Sequence, residues 1–202
     1  MSRKTMLAVG LTAAMALGVT AAQAQTSTAP NTMSPPAMNN SSATAPAAAQ
    51  KASKADQRFL KEAIEGDLSE VKIGQLAQQN GESQDVKQFG QTLQQDHGQH
   101  LQQAQQMAQQ MGVTPPTQPT AKQTKVYDRL SKEHGAKFDK AFAQAMVKDH
   151  KQDIAAYEKQ AKSKGPLASF AQQTVPTLQK HLQSAEALTN RGAATGSGGM
   201  SK

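Results

Sequence analysis

The sequence contains no cysteine and no tryptophan, and its 202 residues include only five phenylalanines and two tyrosines. Without thiols the chain can form neither disulfides nor thiolate metal sites, nor can it carry a lipid on an N-terminal cysteine. The aromatic residues are too few, and the basic residues too evenly mixed with acidic ones, for a nucleic-acid-binding surface. A metal site in this protein would therefore have to use histidine and carboxylate ligands.

The N-terminus has the pattern of a secretory signal peptide. Arg3 and Lys4 precede an apolar stretch that ends at Ala22-Gln23-Ala24, a small-x-small cleavage pattern. The stretch is shorter than the roughly 20 apolar residues that span a bilayer, which disfavours the alternative of an uncleaved anchor. We predict a signal peptide over 1–24, and a periplasmic or secreted bacterial protein with no transmembrane span after cleavage. Cleavage lowers the formal charge from +7 to +5.

The rest of the chain divides by composition. Residues 25–53 are rich in Ala, Pro, Ser and Thr with almost no charge, which predicts a disordered linker because such a segment buries too little apolar surface to fold. Residues 192–202 are rich in Gly and predict a flexible tail. The segment 54–191 has the length of one domain.

The segment 54–191 has an apolar period of 3.6 residues throughout and no strand-like alternation, so we predict an all-α fold. Turn signals at Gly81 and Gly165 divide it into two antiparallel hairpins, and a longer connection between them carries a short extra helix. Pro176 predicts a kink in the last helix. The predicted helices are 54–79, 84–111, 121–133, 137–162 and 166–190.

A weak internal repeat relates the two hairpins. Phe89-Gly90-Gln91, followed by His100, reappears 81 positions later as Phe170-Ala171-Gln172, followed by His181. Glu70 and Asp149 occupy matching places on the first helix of each hairpin. The repeat predicts a carboxylate on the first helix of each hairpin and a histidine on the second, an arrangement with which helix bundles build internal polar or metal sites.

Polar residues interrupt the apolar stripes where the core should be. Steps of three and four residues along the second helix lead from Leu93 to aspartate and histidine before reaching Ala104, and the later helices repeat this interruption. The predicted inward residues, and hence candidate metal ligands, are Asp96, His97, His100, Asp149, His150 and His181, with Glu70 a weaker candidate. His134, beside Gly135, is instead predicted to cap the end of the short helix.

The positions of these residues along the helices place several at one level. Asp149 and His181 are each 16 residues from Gly165, or about 24 Å along their helices at ~1.5 Å per residue, and His97 is 16 residues from Gly81. Buried polar groups at one level must satisfy one another or bind an ion. The alternatives are an Asp–His hydrogen-bond network that fixes helix register, a divalent metal site for zinc, copper, iron or manganese, or simple exposure to solvent.

Several motifs together resemble a known family. They include Phe59-Leu60-Lys61-x-Ala63, Met146-Val147-x-Asp149-His150 and Pro176-x-Leu178-x-x-His181-Leu182. With the signal peptide, they resemble the bacterial envelope family called domain of unknown function 4142 over about 55–188. The resemblance implies a ferritin-like four-helix bundle that is exported and has no established biochemical activity.

Ferritin-like oxidases bind iron with Glu-x-x-His on two helices. The residues three before His97, His100, His150 and His181 are Gln94, His97, Val147 and Leu178. We therefore expect a non-enzymatic periplasmic bundle that binds a divalent cation or serves envelope stress tolerance through its inward Asp/His cluster. The alternatives are an interaction module for an unknown envelope component, without a ligand, and, less favoured, a metal-dependent oxidase.

Overall fold

The structure is a computed structural model that describes residues 52–196, and the side chains of residues 52–191. This part of the chain contains five α-helices and no strand, as predicted. The predicted signal peptide, almost all of the predicted linker and residues 197–202 lie outside the described residues. The helices are α1 (Lys54–Asn80), α2 (Gln84–Gln110), α3 (Ala121–Leu130), α4 (Gly135–Ala161) and α5 (Ala168–Gly196).

Hydroxyl side chains begin the first three helices. Ser53 caps α1 in a capping box with Asp56, the hydroxyl of Ser83 accepts from the backbone N–H of Val86 in α2, and Thr120 opens α3 with a second capping box. Each cap satisfies an N–H group that has no partner within the helix. The cap at Ser83 places the start of α2 at Gln84, as predicted.

The start of α4 differs from the prediction. His134 is the residue before α4, and its exposed side chain makes no capping hydrogen bond. The short helix α3 is capped at Ser131 instead, so the predicted role of His134 at its end is wrong. The short helix ends earlier, because the backbone N–H of Ser131 donates to Tyr127 and that of Glu133 to Leu130, which closes the last turn. Gly135 then reverses the chain at a φ of 60°, a conformation that glycine adopts without steric cost.

The last helix also has different limits. It begins at Ala168 rather than Pro166, because Pro166 lies in a turn in which the N–H of Ala168 donates to the carbonyl of Gly165. It continues through Pro176 and extends to Gly196, past the predicted end at 190 and into the predicted tail.

The two hairpins are α1–α2 and α4–α5, and contacts at both ends of the bundle show how they join. At one end Asp139, near the start of α4, accepts from the backbone N–H groups of Glu82 and Ser83, which precede α2. At the other end Gln160, near the end of α4, donates to Asp56 at the start of α1. The helices α2 and α4 therefore run in the same direction. The connection containing α3 crosses the length of the bundle, as predicted.

The bundle interior consists of two apolar clusters with polar residues between them. One cluster contains Phe59, Leu60 and Ile64, and the other contains Phe138 and Phe142. Each long helix contributes to both clusters and carries buried polar residues between the two contributions. These residues are Asp67, Ser69 and Glu70 on α1, His97 on α2, His150 on α4 and His181 on α5. Two further buried polar residues, Asp56 and Gln160, form a hydrogen bond with each other at one end of the bundle.

The helices α1 and α2 pack backbone against backbone near this polar layer. A Cβ atom added to Gly74 would lie 2.5 Å from the carbonyl oxygen of Gly90, and one added to Gly90 would lie 2.6 Å from the Cβ atom of Ala77. Side chains larger than hydrogen do not fit at either glycine without separating the helices. Across residues 52–196, none of the helices is sufficiently long and apolar to cross a membrane.

Candidate metal centre

Three histidines from three helices meet in the polar layer. His97, His150 and His181 are 5%, 0% and 3% exposed, and one ring nitrogen of each lies within 4.8 Å of those of the other two. Tetrahedral coordination with metal–nitrogen bonds of ~2.0–2.1 Å places ligand nitrogens roughly 3.3 Å apart. The rings are therefore close enough to bind one ion after small side-chain movements.

The other ring nitrogen of each histidine faces a hydrogen-bond acceptor. His97 places Nδ1 2.9 Å from Asp67, His181 places Nε2 2.9 Å from Asp96, and His150 places Nδ1 3.0 Å from the carbonyl oxygen of Met146. A carbonyl oxygen and an ionised carboxylate only accept hydrogen bonds, so the facing nitrogen must carry the proton. In each neutral ring the remaining nitrogen consequently has a free lone pair.

These remaining nitrogens are buried without a hydrogen-bond partner. They are Nε2 of His97, Nε2 of His150 and Nδ1 of His181, and no donor in residues 52–191 reaches them. Leaving a buried polar atom unsatisfied costs about 1–3 kcal/mol. Three neighbouring rings, each with a fixed tautomer and a free lone pair, form a candidate ligand set for a metal ion. Metal-binding histidines typically donate their other N–H to a carboxylate or a carbonyl in this way.

The protonation equilibria of these rings favour the form that binds metal. Burial, with the neighbouring rings of His97 and His181, lowers the pKa of His150 to about 3. Burial and His97 also lower the pKa of His181, and the contact with Asp96 only partly opposes this shift. Because a histidine must be neutral to bind a metal ion, these two residues lose no affinity to proton competition near neutral pH.

His100 lies beside the three histidines and has a different environment. Its Nδ1 atom lies 2.7 Å from the second oxygen of Asp67, and its ring stacks on Phe170 at a centroid distance of 4.6 Å. Its Nε2 atom lies 3.5 Å from the hydroxyl of Tyr157. His100 therefore supports the position of Asp67, which in turn orients His97.

A second group of three carboxylates lies next to the histidines. One oxygen each from Glu70, Asp149 and Asp153 lies within 4.8 Å of the others, and Glu70 comes within 3.9 Å of Nδ1 of His150. Burial, followed by the charge of Asp149, raises the pKa of Glu70 well above its usual value. The same two causes raise the pKa of Asp153 to about 8. Both pKa values are raised because the ionised forms would place negative charges close together where little water solvates them.

A cavity of about 490 Å³ opens beside the histidines and is lined by all four long helices. His97 and His181 form part of its wall, together with the supporting carboxylates Asp67 and Asp96. Aromatic side chains, including Phe170, and polar ones, including Gln103 and Asp153, form the rest of the lining. Water or a small molecule in this cavity would be next to an ion bound by the three rings.

Comparison with known proteins identifies the family. Residues 41–188 match the family described as Domain of unknown function (DUF4142). The chain belongs to the DUF4142 family. A crystal structure of a DUF305 fragment from Deinococcus radiodurans has 14% sequence identity to this DUF4142 chain, with a TM-score of 0.62 over 69% of this chain and 98% of that one. At that identity the likeness concerns the helical fold alone, and none of the curated proteins matches the sequence.

The structure separates the predicted site residues of this DUF4142 protein into three roles. His97, His150 and His181 converge with free lone pairs. Asp96 and His100 form hydrogen bonds that support this group, so neither belongs to the converging set. Asp149 and the weaker candidate Glu70 instead belong to the carboxylate group.

Two residues of the site were absent from the predictions. Asp67 lies four residues after Ala63 and three before Glu70, and Asp153 lies three after His150 and four before Tyr157. Both therefore follow the same steps of three and four that reveal the other inward residues. The helical periodicity contained the signal needed to predict them.

Proposed function

We propose that this DUF4142 protein is an exported, non-enzymatic helical bundle that binds one divalent transition-metal ion, zinc or copper, through His97, His150 and His181. The observation that carries the proposal is the set of three buried lone pairs, each fixed by a hydrogen bond on the opposite side of its ring. A network whose only purpose was to fix helix register would be expected to pair these nitrogens with donors.

The surrounding charges support a divalent ion. Three neutral imidazoles bring no charge to the ion. The carboxylates of Asp67 and Asp96, which accept hydrogen bonds from His97 and His181, together carry two negative charges when ionised. A buried cation is strongly unfavourable without such compensation. The two negative charges of the supporting carboxylates therefore balance the two positive charges of a divalent ion.

The ligand type supports zinc or copper over the other metals considered. Imidazole nitrogen suits zinc, copper, iron and nickel, whereas manganese prefers oxygen ligands. The order of divalent affinities places copper above zinc and both above iron and manganese. The Glu-x-x-His ligands of di-iron bundles are also absent from the helices that carry these histidines.

The location is part of the same proposal. The signal-peptide pattern at residues 1–24 supports export to the periplasm. The single long crossover between α2 and α4 supports a ferritin-like connection of the helices. In the periplasm, such a protein would sequester a metal ion and so contribute to stress tolerance of the envelope.

Metal binding tests the proposal directly. The full chain is expressed and exported, its N-terminus is determined by mass spectrometry, and the affinity for zinc and copper is measured by competition with a chromogenic chelator. We expect cleavage after Ala24 and one ion per chain. Alanine at His97, His150 or His181 should weaken binding by at least about 100-fold, more than the loss of a supporting group.

The control is His134→Ala, which removes an exposed histidine outside the cluster. It should bind both metals as the parent does. Metal content at background level in the parent, with an affinity weaker than about millimolar, would contradict the proposal. An equal loss of affinity in the His134→Ala variant would also do so, because it would indicate non-specific binding.

The cavity supports a second candidate function, a metal-dependent reaction. Catalytic zinc and copper sites keep a coordination position for water or substrate, and three protein ligands leave one available. His97 and His181 line a cavity of about 490 Å³ from which a small molecule could reach that position. Oxygen consumption or peroxide turnover by the iron- or copper-loaded protein, lost in His181→Ala and retained in His134→Ala, would favour this candidate over simple binding.

A further inference from the structure

The carboxylate group next to the histidines is built across two helices. Glu70 comes from α1, while Asp149 and Asp153 lie four residues apart on one face of α4. Oxygens of all three lie within 4.8 Å of one another. Carboxylates at this spacing repel one another unless protons or a cation neutralise them.

Glu70 is the most restricted member of this group. Its side chain is 0% exposed, and neither of its carboxylate oxygens has a hydrogen-bond partner. The nearest imidazole nitrogen, Nδ1 of His150, lies 3.9 Å away and donates to the carbonyl oxygen of Met146 instead. The side-chain contact of Glu70 with Asp149 satisfies it only when the two share a proton, since ionised carboxylates only accept hydrogen bonds. The fully buried side chain of Glu70 therefore lies in the carboxylate group without a donor from outside it.

No lysine or arginine of residues 52–191 forms an ion pair with the carboxylate group. Among residues 52–191, the lysine and arginine ion pairs are Lys151 with Glu186 and Arg191 with Asp85, and neither involves these three carboxylates. The raised pKa values of Glu70 and Asp153 mean that protons neutralise much of the group near neutral pH. A small divalent cation that bound here would displace these protons and relieve the repulsion between the carboxylates.

We infer that Glu70, Asp149 and Asp153 form a second metal site that binds a hard divalent cation such as Mn²⁺ or Ca²⁺. Oxygen-only ligand sets select hard cations, and carboxylates are their usual protein ligands. The remaining coordination positions would be taken by water, as is common for such ions.

The surroundings provide a route for the ion. Asp149 and Asp153 are half-buried and line a cavity of about 670 Å³ between α1, α3 and α4. Its lining also carries both signs of charge, from Glu62, Glu65, Lys122, Arg129 and Lys148. Asp153 lines the cavity beside the histidines as well, so the carboxylate group borders both cavities and an ion could enter from either.

The inferred site and the proposed zinc or copper site share no ligand residue, so variants can test them separately. The test uses the full chain and Mn²⁺, whose electron paramagnetic resonance signal in solution weakens when the ion binds to protein. The parent should bind one Mn²⁺ per chain. Glu70→Gln should weaken that binding by at least about tenfold, since ligand charge sets the affinity of such sites. The control is Glu158→Gln, which makes the same change at a glutamate of α4 outside the carboxylate group. This variant should bind Mn²⁺ as the parent does.

A second pair of variants separates the two sites. Asp149→Asn combined with Asp153→Asn should also abolish Mn²⁺ binding, whereas His97→Ala should retain it and lose zinc. Circular dichroism checks that each variant remains helical. The inference is overturned if the folded parent does not saturate with Mn²⁺ below about 1 mM, the weak limit for such sites, because protons would then be what neutralises the carboxylates. Loss of Mn²⁺ in His97→Ala, with full retention in Glu70→Gln, would overturn it as well.

Discussion

The carboxylate of Asp67 on α1 lies 2.9 Å from Nδ1 of His97 on α2 and thereby determines which nitrogen of that ring can bind a metal ion. The second oxygen of the same carboxylate lies 2.7 Å from Nδ1 of His100. One aspartate thus orients two histidines one helical turn apart. The α1 helix contributes no ligand to the histidine centre, yet it controls the ligand on α2.

We expect the Asp67→Asn variant to bind zinc about 10–100-fold more weakly than the parent, as is typical for the loss of a group that supports a metal ligand. An asparagine can still accept one hydrogen bond, but it lacks the charge that balances the ion. Affinity is measured by competition with a chelator. The control Asp128→Asn changes an exposed aspartate on α3 and should leave zinc affinity unchanged. Equal affinities of parent and Asp67→Asn would show that this carboxylate does not support the site.

The metal-free protein should lose stability in mild acid because of His150. Its pKa is about 3 in the folded state and about 6.5 in an unfolded chain. Between these values the unfolded chain binds a proton that the folded protein does not. This residue therefore lowers the free energy of unfolding by up to about 1.4 kcal/mol for each pH unit below about 6.5.

Urea unfolding at about pH 7.5 and about pH 5, in the presence of a chelator, measures this effect. The His150→Gln variant should lose less stability between the two conditions than the parent. Glu70 and Asp153 have raised pKa values and act in the opposite direction, but they do so in both proteins and cancel in the comparison. The exposed His134→Gln control should behave as the parent does. Parallel curves for parent and His150→Gln would contradict the prediction.

Alanine should have opposite effects at two glycines of α2. At Gly90 the new methyl group would lie 2.6 Å from the Cβ atom of Ala77, so we expect Gly90→Ala to destabilise the protein by about 1–3 kcal/mol. At Gly98 nothing lies within 4 Å, so Gly98→Ala should stabilise it by about 0.5–1 kcal/mol through helix propensity. Thermal unfolding compares the two variants. A change of the same sign in both would show that the close packing of α1 and α2 is not what disfavours a side chain at Gly90.

The contact between Asp139 and the start of α2 should contribute to stability. Its two oxygens each lie 2.9 Å from a backbone nitrogen, of Glu82 and of Ser83. Asp139→Ala leaves both N–H groups without this acceptor, and we expect a loss of about 1–2 kcal/mol, the range for removal of a helix cap. Asp128→Ala serves as the control in urea unfolding. If both variants are as stable as the parent, water replaces the carboxylate without cost.

The sequence predicted the architecture because its strongest signals are local. Apolar periodicity and turn residues such as Gly81 placed the limits of the four long helices within two residues of those observed, except the end of α5, which lies six residues beyond the predicted one. The predictions failed where tertiary structure decides between local alternatives. The sequence predicts Gly135 at the end of one helix, whereas in the structure this residue begins the next with a positive φ. Pro166 was a suitable first helical residue, but the turn after Gly165 delays the helix to Ala168.

The candidate site was predictable only in part. Counting residues from Gly81 and Gly165 correctly placed His97 and His181 at the level where they meet. The internal repeat instead paired His100 with His181, because sequence similarity does not reveal which of two histidines one turn apart faces the partner hairpin. In the structure Asp67 holds His100 away from the converging nitrogens. The periodicity of a helix shows which of its residues face inward, but it does not show which side chain of another helix each one contacts.

The three imidazoles come from α2, α4 and α5, so neither hairpin by itself possesses the complete set. The centre exists only after the second hairpin has docked onto the first. An unfolded chain does not bring the three imidazoles together and therefore cannot bind an ion tightly. If the proposed export takes place before folding, the metal ion in the folded protein is the one available in the compartment to which the chain is exported. The metal ions of the cytoplasm would then not determine which ion is bound.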